Sequence, residues 1–87
     1  MVNNDLLEFP CRLEVKAMGH WSSALEDRIS TIVGRHVGDQ EIFSTRSRLS
    51  REGRYIAITC VIEANSRAQL DAIYMDLNSE PDVLMTL

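Results

Sequence analysis

The chain has 87 residues, of which 45% are hydrophobic and 25% are charged, and its net charge at pH 7 is −4. A chain of this length has room for one domain with one core, and its composition is that of a globular protein, which excludes disordered and fibrous classes. Nucleic-acid-binding proteins need a basic face to neutralise phosphates, so an acidic net charge argues against a nucleic-acid partner.

The cysteines and the N-terminal residues predict where the protein is found. Two cysteines are too few for a disulfide scaffold, and each lies in an apolar stretch where a free thiol behaves as a small hydrophobic residue. The first residues are acidic and do not resemble a signal peptide, and the apolar run 56–62 is too short to cross a membrane. We therefore predict a cytoplasmic protein with no membrane partner.

The chain begins with a predicted lead-in at residues 1–10, and residues 11–87 are predicted to form the single domain. Apolar and charged residues alternate over 11–18, and this period of two predicts a strand with one buried face. Gly19 ends that pattern.

A first helix is predicted at about residues 23–37. Ser23 followed by Glu26 has the spacing of a capping box, and apolar residues then recur at helical spacing. Gly38 is placed to end the helix in the left-handed conformation. His36 would then lie in the last turn, where a cation interacts favourably with the helix dipole.

Two further strands, at residues 41–49 and 55–64, flank a turn at 50–53 in which Gly53 supplies the positive φ of a hairpin. The later strand is apolar on both faces, as is typical of a central strand.

A second helix at residues 67–78 is predicted from the capping box of Ser66 and Gln69 and from the helical spacing that follows. Pro81 prevents its continuation, and residues 83–87 form a short last strand.

The resulting order is β-α-β-β-α-β. Each helix joins two strands through a crossover, and an unknotted, right-handed arrangement of these elements gives an antiparallel sheet in the order 4-1-3-2 with both helices on one face. The predicted fold is therefore the α+β, ferredoxin-like α/β plait. Its second sheet face is left open, and we expect function there or in the adjacent loops.

A cluster of four arginines at residues 46–54 is the clearest charged feature of the sequence. Glu52 is the one acidic residue among them, whereas residues 71–82 are acidic. Such asymmetry predicts an anionic ligand, an acidic partner or head-to-tail self-association. The alternative is that the charges protect an edge strand from aggregation. The cluster consists of Arg46, Arg48, Arg51 and Arg54.

The loop after the first strand is a second candidate site. Gly19, His20 and Trp21 lie where many proteins of this fold hold small ligands, and Lys16 or a hairpin arginine could anchor an anion there. The alternative is local packing of the histidine on the tryptophan. On the open face, Tyr55 is the one aromatic residue of the third strand, where an RNA recognition module would need more.

Catalytic and metal centres are not predicted. Cys11 and Cys60 lie on separate strands without adjoining ligands, and no serine or cysteine has a histidine and an acid beside it in sequence. The loop 18–22 also lacks the arginine of an acylphosphatase phosphate cradle. We predict that the protein is not an enzyme and uses no cofactor.

With these residues in hand, the chain resembles the YbeD-like family of small bacterial proteins over nearly its whole length. The resemblance implies a ferredoxin-like fold similar to ACT regulatory domains and, because the gene lies beside lipoate-biosynthesis genes in some bacteria, a link to lipoate metabolism. The residues that carry it are Leu6 to Pro10, Lys16 to Gly19, Arg35-His36, Ser50 to Gly53 with Tyr55, Ser66, Gln69-Leu70, Ile73-Tyr74 and Val83 to Leu87.

The chain departs from these families at two places. Val37 stands where family members often have a proline, and Lys16 to Met18 stands where ACT domains usually have an aspartate before the loop glycine. The leading hypothesis is a non-catalytic regulatory or protein-interaction domain that acts on an unknown protein partner or by self-association. The alternatives are a sensor of a small anion or metabolite at the first loop, and an RNA-binding module.

Overall fold

The computed structural model describes residues 7–38 and 41–87. Residues 1–6 of the predicted lead-in, including Leu6 of the family resemblance, lie outside the described residues. Of the lead-in residues that the structure describes, Leu7 and Phe9 pack against the core. The predicted order of elements is confirmed as β1 (Cys11–His20), α1 (Leu25–Gly34), β2 (Ile42–Leu49), β3 (Tyr55–Ala64), α2 (Arg67–Asn78) and β4 (Val83–Thr86).

The four strands form one antiparallel sheet in the order β2-β3-β1-β4, which is the predicted order. β3 is central, and it pairs with β1 from Cys11–Ala64 to His20–Tyr55 without interruption. On its other side it pairs with β2, where Arg46 lies opposite Thr59. This register decides which side chains of β1 and β2, the two strands that flank β3, meet above it.

The core lies between the two helices and one face of the sheet. Alternate residues of β3 are fully buried, as expected for a strand with a helix-covered face. Apolar residues at helical spacing on α1 and α2 supply the opposing surface. The innermost side chains are Leu25, Ile29, Ile58, Ile62, Ile73, Leu77, Val15, Val33 and Cys60.

The start of α1 differs from the prediction. The helix begins at Leu25, two residues late, and its N-cap residue Ala24 has no side-chain capping bond, so the capping box at Ser23 is wrong. The hydroxyl of Ser22 accepts a hydrogen bond from the Ala24 N–H at 3.1 Å instead. The turn at residues 22–24 follows from a tertiary hydrogen bond, since the Trp21 N–H donates to a hairpin carbonyl at 2.8 Å.

The end of α1 also differs. The helix stops at Gly34, three residues before the predicted end, and Gly38 has no positive φ. The Gly38 N–H donates to the Glu41 carboxylate at 2.8 Å. His36 lies in the turn beyond the helix, and its imidazole is 3.0 Å from a carboxylate oxygen of Asp76 on α2. The predicted place of His36 in the last helical turn is therefore wrong, because its backbone N–H bonds to the Val33 carbonyl three residues back and the helical pattern has ended.

The second helix and the hairpin follow the sequence prediction. Gly53 has a φ of 73°, and α2 has the predicted bounds. The Ser66 hydroxyl accepts a hydrogen bond from the Gln69 N–H at 3.0 Å, and the Gln69 side chain accepts one from the Asn65 N–H at 2.7 Å. Strands β2 and β4 are each one residue shorter than predicted. In the described part of the chain, no helix is long and apolar enough to span a membrane.

Candidate functional site

The sheet face opposite the helices, called here the open face, carries most of the predicted site residues. Side chains alternate between the two faces of a strand, so the register assigns each residue to a face. The open face consists of Arg12, Glu14, Lys16, Met18 and His20 on β1, Tyr55, Ala57, Thr59, Val61 and Glu63 on β3, Ser44, Arg46 and Arg48 on β2, and Met85 on β4.

An ion-pair network crosses the centre of this face. The guanidinium of Arg46 on β2 is 2.7 Å from the Glu14 carboxylate on β1, and the Lys16 ammonium is 3.6 Å from the same carboxylate. β1 and β2 are two strand spacings apart, about 9.6 Å. Because the side chain of Thr59 on the intervening β3 is small, the long side chains meet above it.

The hydrogen bond from Arg46 is the main reason that the pKa of Glu14 lies below its ordinary value, and the nearby Lys16 contributes in the same direction. Glu14 is therefore a carboxylate at neutral pH and lies between two cations. Arg48 makes no ion pair with any residue in the described ranges. A depression of about 520 Å³ lies beside these groups and is lined by Lys16, Arg46, Arg48, Ala57, Thr59 and Leu87.

The hairpin end of the sheet, defined by His20, Trp21, Arg51, Arg54 and Tyr55, brings the first loop and the hairpin together. The Trp21 N–H donates to the Arg54 carbonyl at 2.8 Å, and the rings of His20 and Tyr55 lie 5.3 Å apart. Trp21 is 51% exposed and Tyr55 is 38% exposed. This end therefore presents aromatic and cationic groups side by side.

Gly19 is separated from the other predicted site residues. It is a buried residue of β1 on the helix-covered side, where a Cβ would collide with the backbone carbonyl of Asp82 and with the Leu25 side chain. Lys16 lies on the opposite face of the same strand. The structure thus does not bring Gly19 and Lys16 together, whereas Lys16, Arg46 and Arg48 are neighbours.

Two contributors to this surface were missed in the sequence. Glu14 is the shared counter-ion of the central cations, and the Arg12 guanidinium lies 3.8 Å above the ring of Phe43. Strand alternation places Glu14 and Lys16 on one face, and this was the available signal. The contact with Arg46 depends on the register across β3, which the alternation does not reveal.

The cysteines and potential metal ligands lie apart from this surface. Cys60 is fully buried, and burial raises the pKa of its thiol, so the reactive thiolate is disfavoured. Among residues 7–38 and 41–87, no three His, Cys, Asp or Glu side chains are grouped to hold a metal ion. The chemistry that the open face offers is the binding of anionic groups by guanidinium and ammonium cations.

The fold defines the class of this protein, which is that of small ferredoxin-like α+β domains, here with one sheet face that residues 7–38 and 41–87 leave uncovered. The sequence profile of the DUF493 family, described as a protein of unknown function, matches residues 4–87. The chain belongs to this family.

Curated relatives agree with that assignment and confirm the YbeD-like resemblance. A UPF0250 protein of Nitrosomonas europaea is 36% identical over 87 residues and covers 100% of both chains. A UPF0250 protein of Chromobacterium violaceum is 39% identical over 83 residues, which cover 95% of this chain and 93% of the relative. A UPF0250 protein of Vibrio cholerae is 37% identical over 84 residues, which cover 95% of this chain and 88% of the relative.

Solved structures of low sequence identity share the fold. The solution structure of a protein from H. pylori has a TM-score of 0.76 at 12% identity and covers 100% of this chain and 96% of that one. The C-terminal domain of the MgtC protein from Mycobacterium tuberculosis has a TM-score of 0.68 at 11% identity, and the match covers 94% of this chain and 89% of that domain. At these identities the likeness concerns the fold alone.

Proposed function

We propose that this chain is a non-catalytic interaction domain whose open face binds an acidic segment of a partner protein. The observation that carries the proposal is the charge of that face. It carries four cations and two carboxylates, whereas α1, α2 and the turn before β4 carry six carboxylates and two cations, in a protein whose net charge is −4. A cationic face on an acidic molecule attracts and orients an acidic partner.

The hairpin end supports a protein rather than a small ion as the partner. Tryptophan, tyrosine and arginine are the residues that most often dominate binding energy at protein interfaces. Here Tyr55 lines a hollow together with Arg48 of the central cations. Arg51 and Arg54 line a second hollow with Tyr55, and the Trp21 N–H is bonded to the Arg54 carbonyl. A half-exposed tryptophan gains considerable apolar burial when a partner covers it.

The regulatory role and the link to lipoate metabolism that the family resemblance implies are parts of this proposal. Regulation would be exerted through the contact itself, in the cytoplasm, without a chemical step by this domain. For the alternative, a sensor of a small anion, we propose the central depression as the binding site in place of the first loop. The depression has a volume of about 520 Å³ and is lined by three cations, whereas Gly19 of the predicted loop site is packed against the backbone of Asp82.

The test uses a fluorescein-labelled oligoglutamate peptide and fluorescence anisotropy. Arg46→Glu and Arg48→Glu are each expected to weaken binding about tenfold or more, since each reverses a charge in the contact. Arg67→Glu is the matched control: it makes the same charge change in the first turn of α2, on the other side of the molecule, where the helix dipole favours an anion. Its affinity should stay within about twofold of the wild type.

Three outcomes would contradict the proposal. The wild type does not bind the acidic peptide, or Arg67→Glu weakens binding as much as Arg46→Glu, or the face binds an RNA oligonucleotide or free succinate but no acidic peptide. Amide chemical shifts recorded with the same peptide locate the contact. The proposal expects changes on β1, β2 and β3 and none on α1.

A further inference from the structure

We infer that the acidic segment binds in an extended conformation with carboxylates at alternate positions, and that Glu14 occupies the place of one of them in the unbound protein. This inference rests on the proposed function. It concerns the conformation and the acidic pattern of the partner, and the competition within the site.

The shape of the open face favours an extended chain. The small side chains of Ala57 and Thr59 on β3 form a floor, with Lys16 and Met18 of β1 on one side and the arginines of β2 on the other. The strands that carry these two walls are about 9.6 Å apart. An extended chain fits between them, whereas a helix with its side chains has a diameter of about 10–12 Å.

The spacing of the cations favours alternate acids. Arg46 and Arg48 lie two residues apart on β2, opposite Thr59 and Ala57, so they point to the same face about 6.6 Å apart. The side chains at positions i and i+2 of an extended segment have the same spacing. Adjacent acidic residues in such a segment point to opposite sides, so one of them would point away from the site.

The two cation positions differ in what already lies beside them. Arg46 and Lys16 flank Thr59, and the Glu14 carboxylate lies between them, at 2.7 Å from Arg46 and 3.6 Å from Lys16. This pair of cations is therefore able to hold a carboxylate. Arg48, at the level of Ala57, has no carboxylate partner within the described residues, so it is open to an incoming acid.

Glu14 is placed to leave this position. Its side chain is 44% exposed and those of Arg46 and Lys16 are 58% and 42% exposed. Exposed ion pairs are weakened by water and salt, so a partner carboxylate displaces Glu14 at little cost. Glu14 then acts as a competitor within the chain that lowers affinity for segments offering a single acid.

The first experiment compares two labelled peptides of identical composition. One carries glutamates at alternate positions separated by threonines, and the other carries the same glutamates in adjacent pairs. The wild type should bind the alternating peptide about fivefold tighter, and Arg48→Ala should reduce that preference to less than about twofold. Equal binding of both peptides would overturn the inference and leave the proposed function intact, whereas failure of both peptides to bind would overturn both.

The second experiment tests the competition. Glu14→Gln and Glu63→Gln each remove one negative charge from the open face, but only Glu14 lies between Arg46 and Lys16, and Glu63 pairs in register with Arg12 at the far end of β3. Glu14→Gln should tighten binding of the alternating peptide about three- to tenfold, and Glu63→Gln less than about twofold. Equal gains would show a general charge effect and refute the role of Glu14. Urea unfolding of both variants verifies that each is folded.

Discussion

At the scale of single residues, Gly19 has a steric role that differs from its predicted place in a ligand-binding loop. It lies within β1, and the turn that leads into β4 passes directly over its Cα, where the Asp82 carbonyl leaves no room for a Cβ. Arg28 of α1 forms ion pairs with Glu80 and Asp82 and holds that turn in place. The glycine is therefore needed for the close approach of β4 to β1.

Gly19→Ala should lower the free energy of unfolding by about 1–3 kcal/mol, because the colliding atom belongs to the backbone and moves only with the turn. Gly34→Ala is the matched control, since the nearest atom to its added methyl group is the Ile42 Cδ1 at 4.0 Å and alanine favours a helix. It should leave stability unchanged or raise it by up to about 1 kcal/mol. Urea denaturation of the two variants measures both effects. A Gly19→Ala variant with the stability of the wild type would show that the close packing of β4 on β1 does not need a glycine at this position.

At the scale of elements, the two helices start in different ways although their sequences carry the same signal. A serine followed three residues later by Glu or Gln precedes each helix, but only Ser66 accepts a backbone hydrogen bond as an N-cap. Before α1, the Trp21 N–H donates a hydrogen bond to the hairpin, and this bond keeps the chain extended through residue 21. The turn into α1 is thereby shifted towards the C-terminus. The position of α1 therefore depends on a contact that is distant in sequence.

Ser66→Ala should lower the free energy of unfolding by about 1 kcal/mol, because the Gln69 N–H loses its capping partner. Ser23→Ala makes the same change at the exposed residue that the sequence pattern predicted to be a cap, and it should alter stability by less than about 0.5 kcal/mol. Thermal unfolding followed by circular dichroism distinguishes the two. A larger loss for Ser23→Ala would mean that α1 begins earlier than Leu25.

At the scale of the whole molecule, carboxylates join elements that are far apart in sequence. Glu41 accepts a hydrogen bond from the Gly38 N–H at 2.8 Å and one from the Asn65 side chain at 2.6 Å. The bond from Gly38 is the larger cause, and the bond from Asn65 the smaller one, of a Glu41 pKa below the ordinary value. The hydrogen bond from His36 is the main cause of the lowered pKa of Asp76, with the Arg35 charge contributing in the same direction. These contacts connect the loop before β2 to the start of α2, and the turn after α1 to α2.

Acid should weaken the fold through these groups. A carboxyl with a lowered pKa stabilises the folded state above its ordinary pKa, about 3.9 for Asp and 4.3 for Glu, and this contribution is lost as the pH falls through the folded value. Stability should therefore be constant near neutral pH with respect to these groups and fall below about pH 4. Asp76→Asn and Glu41→Gln should be less stable than the wild type at neutral pH, and the difference should shrink in acid. Urea midpoints measured across this range check the expectation, and a difference independent of pH would refute it.

The sequence by itself determined the element order, the bounds of β3 and α2, the hairpin glycine and the strand order of the sheet. The first three follow from local properties, since side-chain period, capping chemistry and turn conformation depend on neighbouring residues. The strand order follows from the rules for right-handed, unknotted connections once the element order is known. The arginines of β2 were also visible as a charged cluster, and their role in binding stays a prediction that the peptide experiments test.

Only the tertiary structure decided the register of β1 against β3, the approach of β4 to Gly19, and the displaced start of α1. Each depends on pairing between segments distant in the chain, which no local pattern encodes. The same pairing sets Arg46 and Lys16 on either side of Thr59 with Glu14 between them. A net charge of −4 gave no sign of a cationic face, because that face is assembled from alternate residues of three strands.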